Sequence, residues 1–86
     1  MWSTKDCMML ALFAGGSANI VRVYSCFTRV HVALLDKEKA DSQKLLTLPD
    51  VKNVLTRGTE MQLVVGIDAP RYAALTAKTL GKTEAH

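Results

Sequence analysis

The sequence predicts an α+β fold with an antiparallel four-stranded sheet and three helices packed on one face, in the order α-β-β-α-β-β-α. Apolar and β-branched residues alternate in two pairs of short runs, which is typical of strands in hairpins. Apolar residues at helical spacing mark the other segments, with capping residues before them and glycines after them. Because only a few residues join the strands of each pair, these strands must run antiparallel. The 86 residues of the chain are expected to form a single domain, 1–86.

The first half of the chain should form one helix and one hairpin. Ser3 or Thr4 can cap a helix that stops at Gly15, since glycine commonly ends helices. Four apolar residues of this segment fall at helical spacing: Met8, Met9, Leu12 and Phe13. The runs 20–24 and 30–34 are rich in β-branched residues and predict the first two strands.

The second half should form a short helix, a second hairpin and a last helix. A capping aspartate predicts a helix over 41–48, and the runs 51–56 and 61–65 predict two strands joined by a glycine-containing turn. The last helix should open at Pro70, because proline suits the first helical turn, and close at Gly81.

Composition and charge limit the function classes. The net charge of +3 favours a phosphorylated or acidic partner, but it is too small and scattered to predict nucleic acid as a partner. A solvated face is expected to carry the lysines of the charged segments: Lys37, Lys39, Lys44 and Lys52. The longest apolar run, 7–14, is far shorter than the roughly 18 residues of a membrane-spanning helix.

The two cysteines are expected to differ in role. Without a convincing export signal they predict reduced thiols and a cytoplasmic location. Cys7 has no companion ligand at metal-binding spacing and is interpreted as a small buried hydrophobe. Cys26 lies between the first two predicted strands and is the candidate catalytic residue, since a thiolate can attack a phosphoryl group. The sequence predicts no metal site and no cofactor.

Polar residues that follow Cys26 could hold phosphoryl oxygens. The amide of Phe27, the hydroxyl of Thr28 and the guanidinium of Arg29 are the candidate phosphate ligands. Without such a role, Arg29 and His31 would be solvated strand residues. A nearby glutamine, Gln62, is interpreted as a structural polar residue of the sheet.

Three short motifs occur in order along the chain. They are Asn19-Ile20, the segment 26–29 with the pattern Cys-x-Thr-Arg, and the segment 58–66 with the pattern Gly-x-x-x-Gln-x-Val-x-Gly. With them, residues 8–80 resemble the IIB domain of the glucose family of the bacterial phosphoenolpyruvate-dependent sugar phosphotransferase system. The resemblance implies a phosphoryl relay at the cytoplasmic face of the inner membrane. Cys26 would accept phosphate from a phosphohistidine on a IIA partner and pass it to a sugar bound by a membrane IIC domain.

Two positions depart from the pattern of this family. The family commonly has an arginine where this chain has His31, so the resemblance implies that His31 binds phosphate when it is protonated. The family often has an aspartate where this chain has Tyr24. These departures leave an alternative function open, in which the domain is a non-catalytic or regulatory module that binds a IIA domain or a transcription regulator with impaired onward transfer. A small RNA-binding domain is disfavoured because aromatic residues are few.

Overall fold

Residues 1–82, which a computed structural model describes, form a four-stranded antiparallel sheet and three α-helices. In the sheet the strand order is β1-β2-β4-β3. The strands are β1 (Ile20–Cys26), β2 (Arg29–Leu34), β3 (Asn53–Arg57) and β4 (Glu60–Val64). The helices are α1 (Thr4–Phe13), α2 (Ser42–Leu45) and α3 (Ala69–Leu80). The element order α-β-β-α-β-β-α confirms the predicted fold class.

The helices cover one face of the sheet. Helix α3 packs on β1 and β2, and α1 packs on α3. Because side chains alternate along a strand, Val30, Val32 and Leu34 of β2 are buried in the core. Small residues let α3 lie close to the strands, and its buried residues are Ala69, Tyr72, Ala73, Thr76 and Ala77. Within the described residues, no helix is long and apolar enough to cross a membrane.

The boundaries of α1 agree with the prediction, but its predicted apolar pattern does not identify the buried face. Ser3 is the N-cap, and a Cβ at Gly15 would lie 2.6 Å from the Cβ of Lys39, so the helix stops at a position that needs glycine. Met8 and Leu12 are 60% and 64% exposed. The buried residues instead follow the spacing i, i+3, i+4, i+7: Cys7, Leu10, Ala11 and Ala14. The helix is apolar nearly all round, so spacing alone could not select a face.

The predicted helix over 41–48 is too long. Helix α2 ends at Leu45, and turns follow it. The hydroxyl of Thr47 donates to the carbonyl of Lys44 at 2.6 Å, and Asp50 takes a φ of 66°, which no helix can continue through. Strands β3 and β4 are each offset from their predicted runs, by one or two residues.

An aromatic pair joins the N-terminal segment to the core. Trp2 stacks on Tyr72 with 4.5 Å between ring centroids, and its indole N–H donates to the carbonyl of Pro49 at 2.6 Å. The hydroxyl of Tyr72 donates to the Oδ2 of Asp50 at 2.5 Å. This contact therefore ties α3 to the segment that follows α2.

Replacing Tyr72 by phenylalanine should reduce the pH dependence of stability in alkali. The pKa of Tyr72 is raised from 10.0 to about 12, first by its hydrogen bond to Asp50 and then by burial. Because the folded-state pKa is the higher one, the hydroxyl contributes its full stability below pH 10.0 and loses it as the pH rises through about 12.

Urea unfolding followed by circular dichroism at about pH 8 and about pH 11 measures this effect. The loss of unfolding free energy between the two pH values should be larger in the wild type than in Tyr72→Phe. Equal losses would show that the bond to Asp50 does not form in solution.

Candidate functional site

The face of the sheet opposite the helices carries a row of polar side chains. Tyr24 on β1 pairs with His31 on β2, which pairs in turn with Gln62 on β4. Cys26 and Arg29 form the next pair on this face, at the end of the first hairpin. The period of two along each strand therefore places the predicted site residues on the side that the helices leave open.

A strained turn presents the thiol of Cys26. Both hairpins of the sheet have two-residue loops, and the first residue of each has positive φ: Gly58 at 59° and Phe27 at 53°. For a residue with a bulky side chain this conformation costs about 1 kcal/mol or more. The carbonyl of Thr28 accepts hydrogen bonds from the amides of Val65 and Gly66 at 2.9 and 3.1 Å. These bonds hold the strained turn against the end of β4.

An open depression of about 440 Å³ lies beside the turn. Its lining residues are Cys26, Phe27, Thr28, Arg29, His31, Arg57 and Gln62. The structure thus brings together all the site residues predicted from the sequence. Cys26 is exposed, and Phe27, 90% exposed, stands at the rim.

The lining of the depression is cationic. Arg29 and Arg57 contribute guanidinium groups from β2 and β3, and the depression has no carboxylate among its described lining residues. The Nη1 of Arg29 donates to the Oε1 of Gln62 at 2.9 Å, which holds this guanidinium along the sheet. Guanidinium groups match the geometry of phosphate oxygens, so the depression suits a phosphate-sized anion.

His31 is not the solvated strand residue of the alternative interpretation, because only 9% of it is exposed. Its ring stacks on Tyr24 with centroids 4.5 Å apart. Its Nδ1 lies 2.6 Å from the Oε1 of Glu60, where an ionised carboxylate can only accept, so Nδ1 carries the proton. Its Nε2 is buried and has no hydrogen-bond partner among residues 1–82.

Glu60 connects several groups of the open face. Its carboxylate accepts hydrogen bonds from the hydroxyl of Tyr24 at 2.5 Å, from His31, and from the amide of Gln62 at 3.1 Å. Burial alone would raise the pKa of Glu60, but the hydrogen bonds from Tyr24, His31 and Gln62 together lower it. Burial and the bond to Glu60 raise the pKa of Tyr24. Glu60 is therefore an ionised acceptor on the open face, and Tyr24 is a neutral donor.

Arg57 and Glu60 were not predicted as site residues. They form a register pair that flanks the turn of the second hairpin, and β2 lies beside β4 in the sheet. The alternation within β4 would have placed Glu60 and Gln62 on one face. It could not show that this face meets the Cys26 hairpin, because the contact depends on the pairing of β2 with β4.

Comparison with known proteins gives several related sequences, although no protein-family model matches the chain. The chain is 37% identical over 73 residues to the PTS system beta-glucoside-specific EIIBCA component of Bacillus subtilis (strain 168). This match covers 84% of the chain and 12% of that protein. It is 33% identical over 57 residues to the PTS system alpha-glucoside-specific EIICB component of Klebsiella pneumoniae, covering 66% of the chain and 11% of that protein.

A third relative, the PTS system trehalose-specific EIIBC component of Bacillus subtilis (strain 168), is 30% identical over 77 residues, covering 87% of the chain and 16% of that protein. The chain thus spans only a small part of each relative. A crystal structure of one domain of the PTS system IIabc component from Clostridium difficile superposes with a TM-score of 0.76 at 20% identity. The match covers 98% of this chain and 92% of that one, and it confirms the fold.

Arg57→Ala should weaken binding of inorganic phosphate about three- to tenfold, the scale of one charge-assisted contact in a solvated site. Arg29→Ala should have a similar effect, whereas Arg71→Ala, which removes an exposed arginine of α3, should have none. Titration with phosphate at low ionic strength, followed through the amide signals of Thr28 and its neighbours, measures the affinity. Unchanged affinity in Arg57→Ala would place this guanidinium in bulk solvent.

Proposed function

The chain belongs to the IIB domains of the glucose family of the bacterial sugar phosphotransferase system, and from this membership we propose that it relays a phosphoryl group through Cys26. The thiolate of Cys26 accepts phosphate from a phosphohistidine on a IIA protein or domain. It then passes the phosphate to a sugar bound by a membrane IIC domain during uptake. In this proposal the chain acts as a sugar phosphotransferase.

The observation that supports this function best is the placement of an exposed thiol in a cationic depression. Cys26 lies at the rim of the open face beside Arg29 and Arg57, where a protein-bound phosphoryl group can reach it. Transfer between two proteins requires an acceptor at the surface, and it can proceed through positioning and charge stabilisation alone. The depression provides an acceptor thiol at the surface and cationic groups that can position and stabilise the phosphoryl group.

The lining residues next to Cys26 in the sequence each have a role in this proposal. The turn residues Phe27 and Thr28 offer backbone amides, and Thr28 adds its hydroxyl, to the oxygens of phosphocysteine. Arg29 offers paired N–H donors, and its bond to Gln62 keeps it extended along the site. His31 holds phosphate as a cation beside them.

The partners follow from the same proposal. The names of the relatives, EIIBCA, EIICB and EIIBC, are those of PTS system components, and they support IIA and IIC domains as donor and acceptor partners of this chain. Association with IIC would hold the domain at the cytoplasmic face of the membrane. A regulatory module that binds IIA or a transcription regulator is the second candidate. The family departures at Tyr24 and His31 favour it.

Phosphorylation of Cys26 is tested by mixing the protein with the upstream phosphorelay and phosphoenolpyruvate and measuring its intact mass. The wild type should gain one phosphate, because the thiolate is the nucleophile. Cys26→Ser should gain none, while Cys7→Ser, altered at a buried thiol outside the site, should still be modified. An adduct that persists in Cys26→Ser would overturn the proposal.

Arg29→Ala should remain folded, because Arg29 lies on the open face rather than in the core. It should nevertheless slow phosphoryl transfer by about tenfold or more, the scale of one lost charge-assisted contact in the transition state. Rapid-quench measurement of phosphocysteine formation gives the rate, and circular dichroism checks the fold. Wild-type kinetics in a folded variant would show that Arg29 does not contact the phosphate.

A further inference from the structure

We infer that Cys26, His31 and Glu60 form a proton-transfer triad, in which the Nε2 of His31 takes the thiol proton of Cys26 and Glu60 is the positioning residue. The inference rests on the proposed acceptance of phosphate by Cys26 and adds the group that receives the proton. It also gives a chemical role to the two positions at which the chain departs from its family, Tyr24 and His31.

These two departures form one structural unit. Tyr24 and His31 are register partners on β1 and β2, and their rings stack. Both bind the same carboxylate: the hydroxyl of Tyr24 donates to Oε2 of Glu60, and the Nδ1 of His31 donates to Oε1. Tyr24, which replaces the family's aspartate, therefore holds Glu60 in place, and Glu60 in turn orients His31.

The ring of His31 is oriented with its second nitrogen away from Glu60. The two nitrogens of an imidazole point to opposite sides of the ring, and the Nδ1 side is occupied by the carboxylate. On β2, Glu60 pairs with Ala33 at one end of the face, whereas Cys26 pairs with Arg29 at the other. Cys26 and His31 are thus diagonal neighbours on one face, about 7–8 Å apart at the backbone, which is within reach of long side chains.

The unpartnered Nε2 is a second, independent observation. A buried polar atom without a hydrogen bond destabilises the fold, so such atoms often mark a functional group. In His31 this atom has no partner among residues 1–82, yet the residue lines the depression that holds Cys26. With the proton fixed on Nδ1, the neutral ring has only a lone pair to offer at Nε2.

Charged and titratable groups surround His31 on every neighbouring strand. Tyr24 on β1, Arg29 on its own strand, and Glu60 on β4 face the ring, and Arg57 of β3 lines the same depression. Arg22 lies over the ring of Tyr24 at 4.6 Å from its centroid. Glu60 is the carboxylate in contact with the ring, and its lowered pKa keeps it ionised to stabilise an imidazolium.

The step balances without a further reactant. The sulfur of Cys26 forms an S–P bond as the N–P bond of the donor phosphohistidine breaks, and the donor nitrogen keeps that electron pair. The thiol proton moves to the Nε2 of His31. The products are phosphocysteine and an imidazolium whose Nδ1–H remains on Glu60. The family's arginine at this position is always charged, whereas in this proposal the imidazole of His31 gains its charge by taking the thiol proton.

The test measures alkylation of Cys26 by iodoacetamide at about pH 7, with peptide mass spectrometry to separate it from Cys7. This readout needs no phosphorelay. His31→Asn and Glu60→Gln should each slow alkylation about threefold or more, and the double variant should be no slower than either, because the two residues act through one proton. Glu38→Gln, which alters an exposed carboxylate outside the site, should match the wild type.

Nitrogen NMR of His31 separates positioning from a merely structural role. The wild type should show a single neutral tautomer with the proton on Nδ1, and Glu60→Gln should lose that preference. The signals of His86 are identified by their persistence in His31→Asn. Tyr24→Phe keeps the aromatic stack and removes one bond to Glu60, so it should slow alkylation less than Glu60→Gln and serves if the latter fails to fold.

The outcomes distinguish this inference from the proposed function. Additive effects of His31→Asn and Glu60→Gln, or unchanged alkylation in folded variants, would overturn the triad even if Cys26 accepts phosphate. Absence of phosphate on Cys26, combined with alkylation that depends on both residues, would overturn the relay and leave the proton transfer standing.

Discussion

Coverage of only one face of the sheet by helices is the constraint on which the site depends. Side chains alternate along β2, so burial of Val30 and Val32 under α3 forces Arg29 and His31 onto the open face. A register slip of one residue would exchange these two sets and bury a guanidinium in the core. The apolar core therefore determines the positions of the polar site, although no core residue within 1–82 lines the depression.

The same alternation places one carboxylate, Glu60, on the open face with the cations. Glu60 is an ionised acceptor that holds Tyr24, His31 and Gln62. The guanidinium of Arg29 is held by the carbonyl oxygen of Gln62, whose amide nitrogen donates to Glu60. The cationic depression thus shares the open face with one partly exposed carboxylate. Its guanidinium groups, Arg29 and Arg57, remain available to attract phosphate.

Local patterns predicted the hairpin, the exposed thiol and the residues next to it, because a two-residue turn brings sequence neighbours together. The burial of His31 and the contribution of Arg57 were not predicted, since both depend on the pairing of β2 with β4, two strands that are far apart in the sequence. The end of α2 was also not predicted. The hydroxyl of Thr47 donates to the carbonyl of Lys44 where α2 ends. The spacing of apolar residues does not predict this hydrogen bond.

In the proposed relay, the replacement of the family's arginine by His31 changes the step at which this position becomes charged. An arginine remains a cation whether or not phosphate is present, so it attracts the donor and also holds the product. In the proposed relay, an imidazole on Glu60 can be neutral while Cys26 is a thiol and cationic once the proton has moved, so its attraction would be added when the phosphoryl group arrives. Arg57 supplies a permanent charge from β3 to the same depression. The two departures from the family pattern, Tyr24 and His31, are therefore explained together by the carboxylate that they share.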